Sequence, residues 1–444
     1  MNREHLGSRL VFIFLSAGCA IGVGNVWKFP WLTGQNGGGS FVLIYILCIL
    51  LIGLPVMTME FSMGRAAQSS PINMYQKLQK KGGKWGFLGY AAVLGNICLM
   101  AFYTTVAGWI FHYFVRFLLG NYQNIGFGAM ITNPTVNVVY MAIVVALGFF
   151  VLIFNLQGGL ERVTKYVMGA LLALMLVLAV RSCFLPGAAE GLKFYLKPDF
   201  SKINGKVIVA ALNQSFFSLS LGIGSMAIFG SYLAKDRALL SESANVVFLD
   251  TFVAIMAGLI IFPSCFTYGI QPDAGPQLLF DTMATVFINM QNGRFWGALF
   301  FLFMVFAAFS TVLAVFENIL ANIREKTGWS RKKGCLICAI GILLISLTTA
   351  LGYSLWPFEP FAPGSAWLDF WDVCVNFNLL PLGCFAMTLF CCNKFGWGWD
   401  NFVAEANSGK GWKVKNWMKP LFRYFAPAVI IILYIYGMAT YTWK

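Results

Sequence analysis

The amino-acid sequence predicts an all-α integral membrane protein with about eleven transmembrane helices. Of its 444 residues, 59% are hydrophobic and only 11% are charged, and the mean hydropathy is +0.73. This composition excludes a soluble globular protein and is typical of membrane proteins. The apolar residues also form runs long enough to cross a bilayer, and two of these runs are interrupted by glycines near their middle.

The predicted spans are separated by short polar connections. Residues 1–9 are polar and lack a cleavable signal pattern, so we expect the first apolar run to remain as a span. We number the spans 1 to 11 and place them at residues 10–32, 40–63, 87–118, 136–155, 164–184, 207–233, 242–269, 294–322, 334–353, 370–392 and 421–442.

Lysine and arginine are concentrated in alternate loops, which predicts the orientation of the chain. Basic residues are retained on the cytoplasmic side, and the basic segment 181–206 is placed outside only because the span count requires it. The N-terminus is therefore predicted to be cytoplasmic, in a plasma membrane or bacterial inner membrane. The net charge of +14 is spread over short loops beside apolar runs, which indicates a partner in the lipid headgroups rather than in nucleic acid. The loops assigned to the cytoplasm contain Arg65, Lys77, Lys80, Lys81, Lys84, Arg324, Lys326, Arg331, Lys332, Lys333, Lys394, Lys410, Lys413, Lys415 and Lys419.

The first apolar run is interrupted within residues 18–30. Gly22 and Gly24 lie near the middle of the run, and Asn25 and Lys28 follow on the same segment. Backbone groups freed at membrane depth are tolerated only where protein or a solute cavity satisfies them. Two packing glycines in an intact helix are the alternative interpretation.

A second interruption, at residues 218–224, favours a functional break. Gly222 and Gly224 repeat the spacing of Gly22 and Gly24 in a later apolar run. Two broken spans in corresponding positions of two halves indicate the midplane binding site of a secondary transporter.

Other kinds of chemistry find little support in the sequence. Glu60, Asp250 and Glu317 are isolated carboxylates in apolar runs, so neither an acid/base pair nor an activated nucleophile predicts an enzyme. Cys335 and Cys338 have the spacing of a zinc site but lack a second pair and a nearby histidine. We therefore expect no enzymatic activity and no organic cofactor.

Several motifs resemble those of the neurotransmitter:sodium symporter family, and the resemblance extends over essentially the whole chain. The short tails and the count of about eleven spans are similar to the prokaryotic branch, since animal members of the family have twelve spans. The resembling segments are residues 18–30, 36–39, 53–55, 59–65, 158–162, 218–224, 231–236 and 307–311.

The resemblance implies a fold of two inverted repeats and a function in transport. Residues 1–184 would form the first repeat of five spans, residues 185–392 the second, and residues 393–444 a cytoplasmic loop and span 11. Spans 1 and 6 would be discontinuous, and a bundle containing them would rock against a scaffold to import an amino acid with sodium by alternating access. An amino-acid-gated channel and a non-transporting sensor on the same fold are the alternatives.

The family pattern also implies two sodium sites. Na⁺ is a hard cation that prefers oxygen ligands, and unwound carbonyls with nearby hydroxyls supply them. The first site would consist of the carbonyl of Ala20 and the side chains of Asn25, Ser218 and Asp250. The second would consist of the carbonyls of Gly18, Ile21 and Ala307 and the hydroxyls of Ser310 and Thr311. Without the resemblance, hydrogen bonds of the two hydroxyls to their own helix, and of Asp250 to a neighbouring hydroxyl or water, would explain these residues.

The resemblance places the substrate between the two breaks. Its carboxylate would bind the amide groups of Val23 and Gly24, at the start of a half-helix whose dipole favours an anion. The hydroxyl of Tyr103 would hold the same carboxylate, although periodicity alone describes Tyr103 as ordinary lining. The amine would meet the carbonyls of Ala20 and Phe217. The remaining residues of the predicted substrate site are Cys19, Leu99, Ser218, Ser220, Ile223, Thr311 and Val315.

The class of substrate and the ion requirement follow from where this sequence departs from animal members. These carry an aspartate at the position of Cys19 when they select amines, so a zwitterionic amino acid is favoured here. The apolar Leu99 and Ile223 favour a hydrophobic or aromatic L-amino acid. Animal members hold chloride partly with a serine at the position of Ala254, whereas here Asp250 supplies a fixed negative charge, which predicts independence from chloride.

Two gates are implied by the same family pattern. Lys28 and Asp372 would form an outer charge pair above Phe217, and snorkelling of Lys28 to the interface is the alternative. The family usually has arginine at position 28, and lysine lacks its bidentate fork. The remaining predicted gate residues are Tyr232 and an inner pair of Arg3 and Glu325.

Overall fold

The computed structural model describes residues 7–123, 126–270 and 278–440, which fold mainly into helices. Nine of the described helices are long and apolar enough to cross a membrane. The two halves of span 1, Arg9–Ala20 and Gly24–Gln35, bend by 54° at their break and together count as a tenth. The expected all-α membrane fold is therefore confirmed.

The spans follow the predicted order, and span 6 is broken like span 1. Its two pieces are each too short to cross a membrane alone. Span 5 starts earlier than predicted, because Asn155 caps the first turn by accepting a hydrogen bond from the N–H of Gly158 at 2.7 Å. The observed helices of spans 1 to 11 are Arg9–Ala20 with Gly24–Gln35, Gly39–Ala67, Phe87–Leu119, Pro134–Ile153, Leu156–Cys183, Gly205–Ser218 with Ser225–Gly230, Leu239–Thr267, Gly293–Thr327, Arg331–Leu351, Trp367–Cys392 and Asn416–Thr440.

Short helices cover the connections between the spans, and several helix starts carry polar caps. Ser8 Oγ accepts a hydrogen bond from the N–H of Val11 before span 1, and Asn204 Oδ1 accepts one from the N–H of Val207 before span 6. Such caps satisfy amide groups that a helix start leaves unpaired. The short helices are Pro71–Leu78, Phe127–Ile131, Ala188–Leu196, Leu279–Asn289 and Trp399–Ala406.

Packing of the spans brings the two breaks next to each other. Span 8 packs along span 3, span 5 and the first half of span 1. The first half of span 1 also lies against span 7, and the second half of span 6 packs on span 2. At the contact between the breaks, Ser220 Oγ donates to the carbonyl of Cys19 at 3.1 Å. The predicted site therefore lies inside the helix bundle.

A buried arginine joins three segments on the side of the bundle that is predicted to be cytoplasmic. Arg65, at the end of span 2, is fully buried, and its Nε donates to Glu405 Oε1 at 2.6 Å. Its Nη1 donates to the carbonyl of Arg237, after span 6, at 2.6 Å. An isolated β-bridge then links Arg237 to Lys410. The ends of spans 2, 6 and 10 are thereby held together.

Candidate functional site

At both breaks the backbone leaves the helical conformation. Ile21 in span 1 has an extended backbone, with φ −70° and ψ 98°, and a helix resumes at Gly24. In span 6, φ is positive at Ser220 (51°), Gly222 (89°) and Gly224 (74°). Glycine adopts such angles freely, whereas serine rarely does, so Ser220 is a strained position within the break.

The freed backbone groups of span 6 are satisfied by buried side chains from spans 2 and 3. Glu60 accepts hydrogen bonds from the N–H of Gly222 at 3.1 Å and from the N–H of Met226 at 3.0 Å. Asn96 Nδ2 donates to the carbonyl of Ile223 at 2.7 Å. The sequence indicated Glu60 only as an isolated carboxylate and did not indicate Asn96. A carboxylate in an apolar run requires a partner, and here the partner is the break.

The side chains predicted for the first sodium site lie together. Asn25 Nδ2 donates to Asp250 Oδ1 at 2.8 Å, and Ser218 Oγ donates to Asp250 Oδ2 at 3.1 Å. Tyr45, which the sequence did not indicate, lies beside them with its hydroxyl 2.8 Å from Ser218 Oγ. We call Asn25, Ser218 and Asp250, all fully buried, the first oxygen cluster. The bond from Ser218 also matches the alternative interpretation, in which Asp250 pairs with a neighbouring hydroxyl.

The residues predicted for the second sodium site form a second oxygen cluster, made of Gly18, Ile21, Ala307, Ser310 and Thr311. Ser310 Oγ lies 3.1 Å from the carbonyl oxygen of Ile21 and 2.9 Å from that of Ala307. Thr311 Oγ1 lies 3.3 Å from the carbonyl oxygens of both Gly18 and Ile21. Each hydroxyl has one proton, so it is surrounded by more acceptors than it can bond. Back-bonding within span 8 explains only the contact with Ala307, and the others reach across to span 1.

A small cavity of about 10 Å³ lies between the two breaks. Tyr103 Oη accepts a hydrogen bond from the N–H of Val23 at 2.9 Å. A Cβ atom at Gly22 would lie 2.3 Å from both Tyr103 Oη and Thr311 Oγ1, so only glycine fits at that position. The volume corresponds to about one water molecule, so a larger molecule fits only when the lining side chains move apart. The lining residues are Ala20, Gly22, Gly24, Leu99, Tyr103, Phe217, Ser220, Ile223, Thr311 and Leu380.

Most of the residues predicted to bind substrate are in this lining. Val23 instead lines an adjoining outer cavity, and Ser218 belongs to the first oxygen cluster. Cys19 is buried with its carbonyl bonded to Ser220, and Val315 is buried in span 8. The predicted residues outside the lining are Cys19, Val23, Ser218 and Val315.

Leu380 lines the cavity although the sequence did not indicate it. It is 2% exposed and comes from the middle of span 10, which was expected to contribute only Asp372 to the outer gate. A leucine within a long apolar run carries no periodic signal that separates a pocket wall from ordinary packing. The contact of Leu380 with the break depends on tertiary packing.

The residues predicted for the outer gate meet above the cavity. Lys28 Nζ lies 2.9 Å from Asp372 Oδ1 and 4.7 Å from the centre of the Phe217 ring. The side chains of Lys28 and Asp372 are 16% and 24% exposed. Lys28 therefore pairs with Asp372 rather than extending alone toward the interface, and its ammonium lies over the ring in a cation–π contact.

Of the inner pair, only Glu325 is described, since Arg3 lies outside the described residues. The carboxylate of Glu325 accepts hydrogen bonds from the N–H of Ser70 and from Asn73 Nδ2, both at 2.7 Å. Glu325 is therefore in contact with the start of the short helix Pro71–Leu78 that follows span 2.

Tyr232 belongs to a buried network that the sequence did not predict. Its hydroxyl donates to Glu317 Oε1 at 3.1 Å, and Arg331 Nη2 lies 2.6 Å from Glu317 Oε2. The sequence described Glu317 as an isolated carboxylate, whereas the structure pairs it with the first residue of span 9. The network links the segment after span 6 to spans 8 and 9.

The chain matches a known protein family over nearly its whole length. The family described as the sodium:neurotransmitter symporter family matches residues 3–124 and 122–444. A protein of Haemophilus influenzae described as an uncharacterized sodium-dependent transporter is 32% identical over 98% of both chains. The uncharacterized sodium-dependent transporter YhdH of Bacillus subtilis is 33% identical over 96% of both chains.

A solved structure shares the fold. The crystal structure of MhsT in complex with L-phenylalanine is 33% identical in sequence and superposes with a TM-score of 0.88, over 98% of this chain and 99% of MhsT. The relatives from Haemophilus influenzae and Bacillus subtilis are both described as sodium-dependent transporters, and the matched family is one of symporters and not of enzymes. This chain is therefore a multi-pass, sodium-dependent transporter that belongs to the sodium:neurotransmitter symporter family.

Proposed function

We propose that this protein is a sodium-coupled symporter that imports a hydrophobic or aromatic L-amino acid by alternating access, without chloride. The observation that carries this proposal is the contact between Tyr103 Oη and the N–H of Val23, at the cavity between the breaks. Gly22, which lines this cavity, contacts both oxygen clusters. Its N–H donates to Asn25 Oδ1 at 3.4 Å, and its Cα faces Thr311. Groups suited to an anion, to cations and to an apolar side chain thus lie side by side.

The carboxylate of the substrate binds at the start of the outer half of span 1. The helix Gly24–Gln35 begins there, and its dipole favours a negative charge. Tyr103 Oη accepts a hydrogen bond from the N–H of Val23, and its own O–H can be donated to a carboxylate. The amine binds on the opposite side, near Ser220 and the carbonyls of Ala20 and Phe217.

The lining of the cavity supports a substrate whose side chain is apolar. It contains aliphatic, aromatic, hydroxyl and glycine residues, and none of the lining side chains is charged. A charged substrate side chain would lose its hydration there without gaining a partner. Leu99, Phe217 and Ile223 surround the side chain instead. MhsT, which shares the fold, has been solved with L-phenylalanine, and this supports the same class of substrate here.

Two sodium ions bind in the two oxygen clusters. The second cluster offers only neutral oxygens, which suit a hard cation and release it readily. The first cluster adds the carboxylate of Asp250, and the carboxylate of the substrate completes its coordination. Sodium and substrate therefore increase each other's affinity.

Chloride is not needed because the first oxygen cluster carries its own negative charge. Asp250 is fully buried, and its carboxylate is held by Asn25 and Ser218. Ala254, one turn further along span 7, offers no hydroxyl to a chloride ion. A fixed carboxylate then does what a bound anion does in chloride-dependent transporters.

Alternating access requires the two gates to open in turn. Lys28, Asp372 and Phe217 close the cavity on the outer side, and Tyr232 and Glu325 take part in contacts on the inner side. The two inverted repeats, residues 1–184 and 185–392, supply the symmetry for this movement, with the N-terminus in the cytoplasm of a bacterial cell.

Uptake by the purified protein in proteoliposomes tests this function. With sodium outside and potassium inside, labelled L-phenylalanine should accumulate above its external concentration, and dissipating the sodium gradient with an ionophore should stop accumulation. Unlabelled leucine, tryptophan, tyrosine and methionine should compete better than glutamate or lysine. A channel would equilibrate the substrate without accumulating it, and a sensor would bind it without uptake, so either result would replace the proposal.

A further inference from the structure

We propose that Leu380 selects the substrate by the size of its side chain, so that span 10 forms one wall of the binding cavity. This inference rests on the proposed function, because it concerns the same cavity. Leu380 lines that cavity together with Leu99 of span 3 and Ile223 of the break in span 6. All three side chains are aliphatic and at most 4% exposed. They form an apolar surface from three separate elements.

The backbone that carries Leu380 is in close contact with the break in span 6. A Cβ atom at Gly222 would lie 2.4 Å from the carbonyl oxygen of Leu380, and one at Gly383 would lie 2.1 Å from the carbonyl oxygen of Gly222. The break in span 6 and the middle of span 10 are therefore in contact backbone to backbone. Since close-packed interiors resist compression, the space available at this wall depends on the Leu380 side chain itself.

Ile223 is likewise held by close contact with span 3. A Cβ atom at Gly95 of span 3 would lie 2.5 Å from Ile223 Cγ2, and Asn96 Nδ2 holds the carbonyl of Ile223 at 2.7 Å. Two adjoining walls of the cavity are thus backed by rigid helices. An apolar cavity with walls of this kind distinguishes substrates that differ by one methylene group, by about 10–200-fold.

Leu380 offers only hydrocarbon to the substrate, so it distinguishes substrates by the size of their side chain and not by their polarity. Shortening its side chain enlarges the space for the substrate side chain while leaving Tyr103, Ser220 and both oxygen clusters in place. Larger substrates should gain from this change, and smaller ones should lose contacts. We therefore expect that shortening Leu380 changes the order of preference among substrates instead of weakening the binding of all of them equally.

The test measures the concentrations of L-tryptophan and L-leucine that halve uptake of labelled L-phenylalanine in proteoliposomes. Their ratio does not depend on the affinity for L-phenylalanine. In Leu380→Ala the ratio should shift in favour of L-tryptophan by about tenfold or more, and in Leu380→Val the shift should be smaller. Leu382→Ala, on the same span but 38% exposed, is the matched control and should leave the ratio unchanged.

Each outcome decides one of two questions. The assignment would be overturned if the inhibitory concentrations of L-tryptophan and L-leucine changed equally in Leu380→Ala and Leu380→Val. It would also be overturned if their ratio shifted as much in Leu382→Ala. In both cases the proposed function stands. Should Leu380→Ala not fold, Leu380→Val alone decides. Absence of sodium-driven uptake by the unmutated protein would refute the proposed function, and the role of Leu380 with it.

Discussion

At the scale of single residues, the two oxygen clusters differ in charge. The first contains the buried carboxylate of Asp250, and the second contains only carbonyl and hydroxyl oxygens. A carboxylate inside a membrane protein is costly unless a cation or strong donors accompany it. Asn25 and Ser218 are neutral donors and balance this cost only in part. Sodium binding in the first cluster should therefore depend strongly on the charge of Asp250.

Asp250→Asn should raise the sodium concentration needed for half-maximal uptake. The substitution keeps the shape of the side chain and removes a charged ligand, which is worth about 1.5–3 kcal/mol, or roughly tenfold or more in affinity. Asp199→Asn makes the same chemical change at an exposed residue outside the spans and should leave the sodium dependence as it is. Replacement of chloride by gluconate should not affect the unmutated protein. A strict chloride requirement, or unchanged sodium dependence in Asp250→Asn, would contradict the charge argument.

Tyr103→Phe should weaken the binding of labelled L-phenylalanine by about 1–3 kcal/mol, because a charge-assisted hydrogen bond to the carboxylate is lost in a dry cavity. Sodium binding should weaken with it, since coupling between two ligands is reciprocal. Tyr113→Phe, also in span 3, removes a buried hydroxyl that has no hydrogen-bond partner among the described residues and serves as the control. Equal affinities for both ligands in Tyr103→Phe and the unmutated protein would remove Tyr103 from the site.

At the scale of elements, the contact between span 10 and the break in span 6 should limit which residues can replace glycine there. Gly383→Ala would place its Cβ atom 2.1 Å from the carbonyl oxygen of Gly222, so the two elements must separate. We expect a loss of about 1–3 kcal/mol in the free energy of unfolding, together with reduced uptake.

Gly341→Ala is the matched control for this substitution. Gly341 lies inside the helix of span 9, and a Cβ atom there would meet no other atom within 4 Å. Alanine favours a helix more than glycine does, by up to about 1 kcal/mol, so thermal unfolding in detergent should occur at the same or a higher temperature. If Gly383→Ala is as stable as Gly341→Ala, the backbone contact is not needed.

The sequence predicted the elements of the site better than their partners. The two breaks were recognisable because Gly22 and Gly24, and again Gly222 and Gly224, interrupt apolar runs. The residues that hold the second break were not, because they lie far away along the chain: Glu60 is 162 residues from Gly222. Nothing in one sequence shows which buried polar residue meets which break, since that depends on how the spans pack.

At the scale of the whole molecule, buried charged side chains connect several spans on the side predicted to be cytoplasmic. Arg65 connects span 2 to segments after spans 6 and 10, and Arg331 connects spans 8 and 9 through Glu317. In the sequence, Arg65 and Arg331 indicated the orientation of the chain, and Arg65 also ended a segment that resembles the family. Their second role, as partners of buried carboxylates, can be recognised only from the fold, because lipid headgroups otherwise explain a basic residue in a loop.

We expect the proposed outer gate to act on the movement of the molecule more than on the binding of substrate. Lys28 and Asp372 lie above Phe217 and are not among the residues that line the cavity. Asp372→Asn should therefore lower the maximal rate of uptake, while the concentration of labelled L-phenylalanine needed for half-maximal uptake stays the same. Because partly exposed ion pairs contribute at most about 1 kcal/mol, the rate should fall by less than about tenfold.

Asp369→Asn is the control for the outer gate, since Asp369 lies on the same helix and uses its carboxylate to cap the N–H of Ala366 at 2.8 Å, which asparagine can also do. Its rate of uptake should stay close to that of the unmutated protein. Exchanging the two charges, as Lys28→Asp with Asp372→Lys, should restore part of the rate lost in Asp372→Asn, because the pair is re-formed in reverse. A weaker affinity for L-phenylalanine at an unchanged maximal rate in Asp372→Asn would assign the pair to the substrate site instead of the gate.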